Sequence, residues 1–417
     1  MSLLRGAFVV LTAFALASAS AQQPPTPSVP EPGSELTITL VTFGLGEEVF
    51  ERFGHNALWV HDASTGEDVA YHWGQFSFAE PHFLARFLTG DNHYWMAPND
   101  ARALIEAYRR IGRPATLQKL NLTPIQALKL RDFMRWNSLP ENKFYRYDYF
   151  RDNCSTRLRD ALDAAIGGAI KRQTDTSQTA LTYRGESIRL TDGARPAQLG
   201  IDIALGRPAD AALSEWDTYF IPMRLRDGIR RVQVSGPDGT LVPLVAEERH
   251  LTSPPGVPTI DELPVAPSII LRSLILGIAL AVLVVVLRIM MVSRRSAAWG
   301  LALFGSAWSL VCGMLGVILL LAWLATKHVF WVSNENVLLL TPLSLPLVVL
   351  IPAALLRGRK QRAARMVAAL VVMMSVVALL LAAVPGGQAS GAVVAVFLPV
   401  HFALAWALAL PARAGKA

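Results

Sequence analysis

Apolar positions follow two regimes along the chain. Up to about residue 250 they alternate with polar ones or recur at helical spacing, and after residue 265 they merge into long runs. In the first regime, residues 35–43 alternate and read as a strand, broken by Gly44-Leu45-Gly46. Residues 47–53 read as a short helical or loop segment. A second strand covers 54–61, with His55, Ala57, Trp59 and His61 on one side and Asn56, Leu58 and Val60 on the other. Ser64-Thr65-Gly66 is a turn, and residues 69–76 form a third strand, making a hairpin with the second. The pattern then predicts a short helix over 81–88, a short strand over 93–96, a helix over 99–110 closed by Gly112, and a strand over 116–121. Thr123-Pro124-Ile125-Gln126 is a capping box with proline at N1, opening a helix to about Trp136.

Tyr145, Tyr147 and Tyr149 recur with period two and predict extended chain. At Cys154 the period changes. Cys154, Leu158, Ala161, Leu162 and Ala165 fall on one helical face, Gly167-Gly168 ends the helix, and Asp152 or Asn153 is the N-cap. The polar region 171–206 gives no clear period. Residues 214–220 read as an amphipathic aromatic segment near a bilayer surface, and Pro237-Asp238-Gly239 as the turn of a second hairpin.

The long runs lie at about 269–291, 299–325, 337–356, 366–384 and 391–410, each near the roughly 20 residues that cross a bilayer. Arg288, Arg294 and Arg295 follow the first run; Arg357, Arg359, Lys360, Arg362 and Arg365 separate the third from the fourth. Positive loops stay in the cytoplasm, so the domain before the runs lies outside and the C-terminus inside. Residues 1–21 have the positive start, apolar core and small-residue cleavage site of a secretory signal. The expected organisation is therefore a signal over 1–21, a Pro-rich linker over 22–34, an exported domain over 35–250, a linker over 251–267, a transmembrane domain over 268–411 and a cytoplasmic tail over 412–417.

Composition agrees: 52% hydrophobic and 17% charged residues exceed what an ordinary soluble domain carries. The net charge of +7 gathers in loops between apolar runs and forms no basic patch with interleaved aromatics, so nucleic acid is not an expected partner.

Of two cysteines, Cys312 sits in an apolar run, leaving Cys154 as the one thiol of the exported domain. At a helix start, free N–H groups and the helix dipole favour a thiolate, so Cys154 suits a nucleophile. It equally suits a small buried hydrophobe. A nucleophile needs a base and a group that orients the base. His55, after Gly54 at a strand start, is the candidate base, and His72 on the paired strand the candidate orienting group. His328 and His401 lie in the second regime, His401 inside the fifth run.

Three motifs in order, Gly54-His55-Asn56-Ala57, Tyr71-His72-Trp73-Gly74-Gln75-Phe76 and Asp152-Asn153-Cys154-Ser155-Thr156, resemble the exported domain of the Lnb family of bacterial lipoprotein N-acyltransferases. The apolar tail, with Asn334-Glu335-Asn336-Val337-Leu338-Leu339 before Pro342-Leu343, resembles that family's membrane part. The order of histidine strand, polar strand and cysteine helix also resembles circularly permuted NlpC-type papain-like enzymes, including the lecithin retinol acyltransferase group.

The resemblance implies an α+β fold, a circularly permuted papain-like (NlpC-like) domain followed by an all-α transmembrane domain of five helices. It implies transfer of an acyl chain from phospholipid through a Cys154 thioester to the α-amine of a diacylglyceryl-cysteine lipoprotein. His55 and His72 would assist at the periplasmic face of the bacterial inner membrane, with no metal or cofactor. Candidate substrate contacts are Asn153 and Tyr147 beside the cysteine, Lys327 for an anionic headgroup, and Asn334 or Asn336 for an ester carbonyl. The rival readings are a membrane-tethered cysteine hydrolase, acting on lipids or cell-wall peptides, and a non-catalytic envelope binding module. Multiple spans favour lipid over cell-wall substrates, and the coincidence of Cys154, His55 and His72 disfavours the module.

Overall fold

The computed structural model describes residues 31–236, 238–252 and 262–411. The expected signal, both linkers' Pro-rich cores and the tail lie outside the described residues.

A seven-stranded antiparallel sheet organises the first half. Its strands are β1 (Leu36–Phe43), β2 (His55–Asp62), β3 (Glu67–Gln75), β4 (His93–Asp100), β5 (Ala115–Leu120), β6 (Phe144–Arg146) and β9 (Val245–Leu251). Their order is β6-β4-β3-β2-β1-β5-β9, and the short hairpin of β7 (Gln233–Ser235) and β8 (Leu241–Pro243) stands apart. Alternation in β2 sorts its side chains as expected. Leu58 and Val60 join Leu40 and Trp73 in a core on one face, while Ala57 joins Val41, Phe43 and Ala70 in a smaller core on the other.

Each face has its helices. After the short α1 (Phe83–Thr89), α2 (Ala101–Arg110) brings Tyr108 against Phe43, their ring centroids 3.8 Å apart. The opposite face carries α3 (Pro124–Asn137), whose Thr123–Gln126 capping box is present, and α4 (Cys154–Ala165). Leu158, Ala161, Leu162 and Ala165 of α4 pack into the main core, the face its periodicity predicted.

Four short helices, α5 (Ala169–Thr174), α6 (Tyr183–Leu190), α7 (Arg195–Ala204) and α8 (Glu215–Thr218), then lead to α9 (Pro222–Ile229). Trp216, Tyr219 and Phe220 are buried in the domain core, so the expectation that 214–220 lies on a bilayer surface is corrected: the segment packs inward. The tyrosine run is also only partly extended. Only residues 144–146 form strand; then the Asp148 carboxylate accepts the N–H groups of Phe150 and Arg151 and folds the chain into a turn ahead of Cys154.

The second half contains α10 (Ile269–Met290), α11 (Arg295–Ala325), α12 (Leu347–Arg357), α13 (Gln361–Ala382) and α14 (Gly391–Ala409). Among the described residues, α10, α11, α13 and α14 are long and apolar enough to cross a membrane, and the third expected span is a bent pair. Single-turn helices at Glu335–Leu338 and Pro342–Ser344 precede α12, with a bend of 52°. Pro342 and Pro346 lack the N–H groups a continuous helix needs. The freed backbone nestles against α11 at Gly316, where a Cβ would stand 2.0 Å from the Leu340 carbonyl oxygen.

At one end of the bundle, Arg288 donates to the Ala407 carbonyl and Arg365 to that of Leu408, capping α14 with cations. The exported domain sits at the opposite end. There Gly206 N–H donates to the Phe330 carbonyl at 2.7 Å, and Phe330 is buried among Phe150, Tyr183 and Phe220.

Candidate active site

The Asn153 cap fixes where Cys154 stands. The Asn153 side-chain oxygen accepts the Ser155 and Thr156 N–H groups at 2.8 and 2.9 Å, and Thr156 returns a hydroxyl to the Asn153 N–H. The Asn153 amide nitrogen donates to the Tyr149 and Phe220 carbonyls. With every polar atom of its amide engaged, Asn153 is a structural cap, which corrects its assignment as a substrate contact. Cys154 becomes the first helical residue, partly exposed.

β3 approaches the thiol through a bulge. His72 pairs with Ala97 but Gln75 with Trp95, so β3 carries one extra residue. Gly74 lies in that bulge with φ +91°, and a Cβ there would stand 3.3 Å from Cys154 Cβ. β2 approaches from the other side: the Asn56 N–H opposes the rise of the Cys154 thiol's pKa, and the Asn56 side chain donates to Ser155 Oγ at 3.1 Å.

The imidazoles form a relay. His55 Nε2 lies 2.8 Å from His72 Nδ1, and His72 Nε2 lies 2.7 Å from Asn99 Oδ1. The amide oxygen only accepts, so His72 Nε2 carries a proton and His72 Nδ1 presents a lone pair. His55 Nε2 must then donate, which leaves the His55 Nδ1 lone pair for chemistry. Gln75 Nε2 donates to the same His72 nitrogen at 3.2 Å, reinforcing that tautomer. The ring of His55 is held stacked on Tyr108 and Phe43.

Electrostatics keep the site uncharged. Burial first, then the charges of His72 and Arg113, hold His55 well below the ordinary histidine range. Burial lowers His72 too, against the hydrogen bond it donates to Asn99. Burial pushes the Cys154 thiol up to about 11, opposed by the Asn56 and Ser155 N–H groups and the Arg113 charge. The resting pair is therefore thiol and neutral imidazole, because desolvation of Cys154 outweighs the N–H groups that favour a thiolate.

His55 stacks on the α2 side of the sheet, while Cys154 heads a helix on the other, and they approach at the starting end of β2. Among the described residues no hydrogen bond joins Cys154 Sγ to a His55 nitrogen.

The remaining assigned residues separate. Tyr147 is near the thiol, stacked on Tyr94 with centroids 4.1 Å apart, and burial holds its hydroxyl well above the ordinary tyrosine range. Asn334 and Asn336 are fully buried, and their amide nitrogens donate to the Asp202, Ile203 and Ala204 carbonyls at the end of α7. They join the two halves of the chain, which corrects their assignment to an ester carbonyl. Lys327 is partly exposed and paired with Asp91 at 2.8 Å.

Asn99 escaped the sequence reading because the strand was expected to end at 96 and Asn99 to open a helix. β6 covers only residues 93–95 of β4, so the later residues form an edge whose outward N–H positions tolerate proline. The signal for Asn99 was Ala97 and Asn99 continuing the alternation past Met96. Gln75 stood within a quoted motif without a role. Arg113 is legible in no local pattern, since it reaches the site by a turn after α2 that places its Nε 3.0 Å from the Gly44 carbonyl.

Residues 32–185 match the family model described as the Lnb N-terminal periplasmic domain, and residues 266–409 that described as the Lnb transmembrane domain. Neither a curated protein nor a solved structure matches the chain.

Proposed function

Because the chain belongs to the Lnb family, a family of membrane-associated lipoprotein-biogenesis proteins, we propose that it is a thiol-dependent apolipoprotein N-acyltransferase of the inner membrane. The observation that carries this reading is the Asn99–His72–His55 relay, which leaves one imidazole lone pair free at the start of β2, the strand whose Asn56 side chain bonds Ser155 next to the thiol.

In the first half-reaction His55 Nδ1 takes the Cys154 proton as sulfur attacks an acyl ester carbonyl of a phospholipid. The carbon–sulfur bond forms, the carbon–oxygen bond breaks, and the proton passes from His55 to the leaving lysophospholipid alkoxide. In the second, the α-amine of a diacylglyceryl-cysteine attacks the thioester, its proton goes to His55, and the Cys154 thiol is regenerated. A neutral thiol and a neutral base suit this cycle, because the proton moves with the attack and no charge is stored between turnovers. On this reading the Cys154–His55 pair forms its hydrogen bond when substrate is bound, as catalytic pairs often tighten only in the complex. The Cys154 N–H at the first helical position supports the oxyanion, such a donor being worth about 3–4 kcal/mol.

The test is reconstitution in vesicles with phospholipid and a diacylglyceryl lipopeptide, followed by mass spectrometry of the lipopeptide amine. Wild type should yield the N-acyl product and Cys154→Ser none. Release of free fatty acid without N-acylation would replace the transferase with a hydrolase.

A further inference from the structure

The segments around Cys154 expose a patch that the thiol, relay and spans do not use. Phe78 is 71% exposed, Leu84 67%, Phe50 56% and Leu88 53%. They lie on α1, on the stretch leading into it and on the loop before β2. Beside α1 the charge of Arg86 is paired with Glu80 at 2.7 Å, while Glu47 and Glu48 before Phe50 are exposed and mark the polar rim of the patch.

The height of this patch relative to the bilayer is fixed by hydrogen bonds. α11 remains apolar and outward-facing to its last turn, with Leu321 57% and Leu324 77% exposed, as lipid-facing side chains of a span are. Three residues later the chain is bonded to α1. Lys327 N–H donates to the Thr89 carbonyl at 2.8 Å, and the His328 ring lies 2.9 Å from the Phe87 carbonyl oxygen. Lys327 reaches Asp91, and Trp331 stacks on His328, a basic and aromatic belt of the kind that marks a membrane interface. α1 is thus held within a few ångströms of where the hydrocarbon ends.

A line of rings connects the patch to the thiol. Phe50 and Phe78 both contact Phe76, at 5.8 and 5.1 Å between centroids. Phe76 stacks on Tyr94 at 5.0 Å, and Tyr94 on Tyr147 at 4.1 Å. Phe76, Tyr147 and Cys154 pack against the same core.

We propose that α1 and the Phe50 and Phe78 loops immerse in the outer leaflet of the bilayer, and that the Phe76–Tyr94–Tyr147 line guides a lipid acyl chain from that leaflet to Cys154. The occupant is the acyl region of the membrane in which the spans reside, because the patch continues the apolar surface of α11. The immersion stands independently of the chemistry; the route to Cys154 rests on the acyl-transfer reading. It gives Phe76 after the bulge, Tyr94 on β4 and Tyr147 after β6 a joint role: a dry path along which the ester arrives without exposing the chain to water.

Two readouts separate these parts. First, the full chain is reconstituted in vesicles holding a phospholipid with a diazirine near the acyl terminus, irradiated, digested and analysed by mass spectrometry. Adducts are expected on the peptide covering residues 76–88 as well as on the spans; adducts confined to the spans overturn the immersion. Second, the double variant Leu84→Glu, Leu88→Glu replaces two exposed side chains and leaves the core untouched. Acyl loading of Cys154 from vesicle phospholipid should fall at least about tenfold, while alkylation by iodoacetamide keeps its wild-type rate. Loading within twofold of wild type overturns the route. If wild type itself never acquires an acyl adduct, the acyl-transfer reading fails with the route, and cross-linking alone decides the immersion.

Discussion

At the residue scale the account turns on which atom of which ring holds a proton. The relay fixes His55 as the Nε2–H tautomer, and burial holds it neutral. A neutral base works at any pH above its own value, and that value lies well below the ordinary one of about 6.5. The rate of acyl loading should therefore stay flat from pH 8 to about 6.5 and decline only in more acidic buffer. The Cys154 thiol, pushed up to about 11, should show iodoacetamide reactivity that keeps climbing through pH 9. A reactivity plateau below pH 7 would indicate a preformed thiolate and contradict the neutral pair. Asn99 touches neither thiol nor substrate and acts by orienting His72. Asn99→Ala should lower kcat roughly tenfold or less, the value of one hydrogen bond, with KM kept and the acid limb displaced. His55→Ala, by contrast, should lose about 10²- to 10⁴-fold.

At the scale of elements, short polar residues do the joining. Asn153 caps α4 and ties it to the carbonyls of Tyr149 and Phe220. Asn153→Ala should cost at least about 1–2 kcal/mol, seen as a lower melting temperature in detergent together with faster thiol alkylation. Asn334→Ala should likewise lower the melting temperature and leave KM for phospholipid unchanged, because its amide is spent on the end of α7; a raised KM with unaltered melting would restore it as a substrate contact.

The same scale shows what was legible beforehand. Strands with one dry and one mixed face announce themselves by alternation, so β1, β2 and β3 were read within two residues of their ends. The Thr123 box and the α4 face were read correctly because capping and helical spacing are local. The region of α5 to α7 resisted because polar residues are buried there as pairs, Arg184 with Asp202 and Asp210, and Glu186 with Arg189 and Arg224. Buried pairs erase the hydrophobic period. At the site, Cys154, His55 and His72 could be nominated by residue type. Asn99 and Arg113 come from elements whose placement depends on the whole sheet.

At the scale of the molecule, the two halves fold against each other. Phe330 enters the exported domain from the loop after α11, and the turn before α14 reaches back, with Gln388 donating to the Leu205 carbonyl. Phe330 is 0% exposed with three aromatic neighbours at 4.8 to 6.0 Å on the exported side, among them Phe150 and Tyr149. Phe330→Ala should destabilise the protein by about 3–5 kcal/mol, measured by thermal unfolding of both halves together. Unfolding of the membrane half alone would show that the halves are independent. The tail therefore packs against the exported domain and supplies part of the wall on which that domain rests.

The central claim is that Cys154 carries the acyl chain between the two lipid substrates. Intact-protein and peptide mass spectrometry after incubation with phospholipid vesicles tests it most directly. The account predicts a hydroxylamine-labile acyl adduct on the Cys154 peptide of the wild type, absent from Cys154→Ala, that disappears when a diacylglyceryl lipopeptide is added and reappears as an amide on that lipopeptide. Wild-type N-acylation by Cys154→Ala, with no adduct on the native thiol, would contradict it.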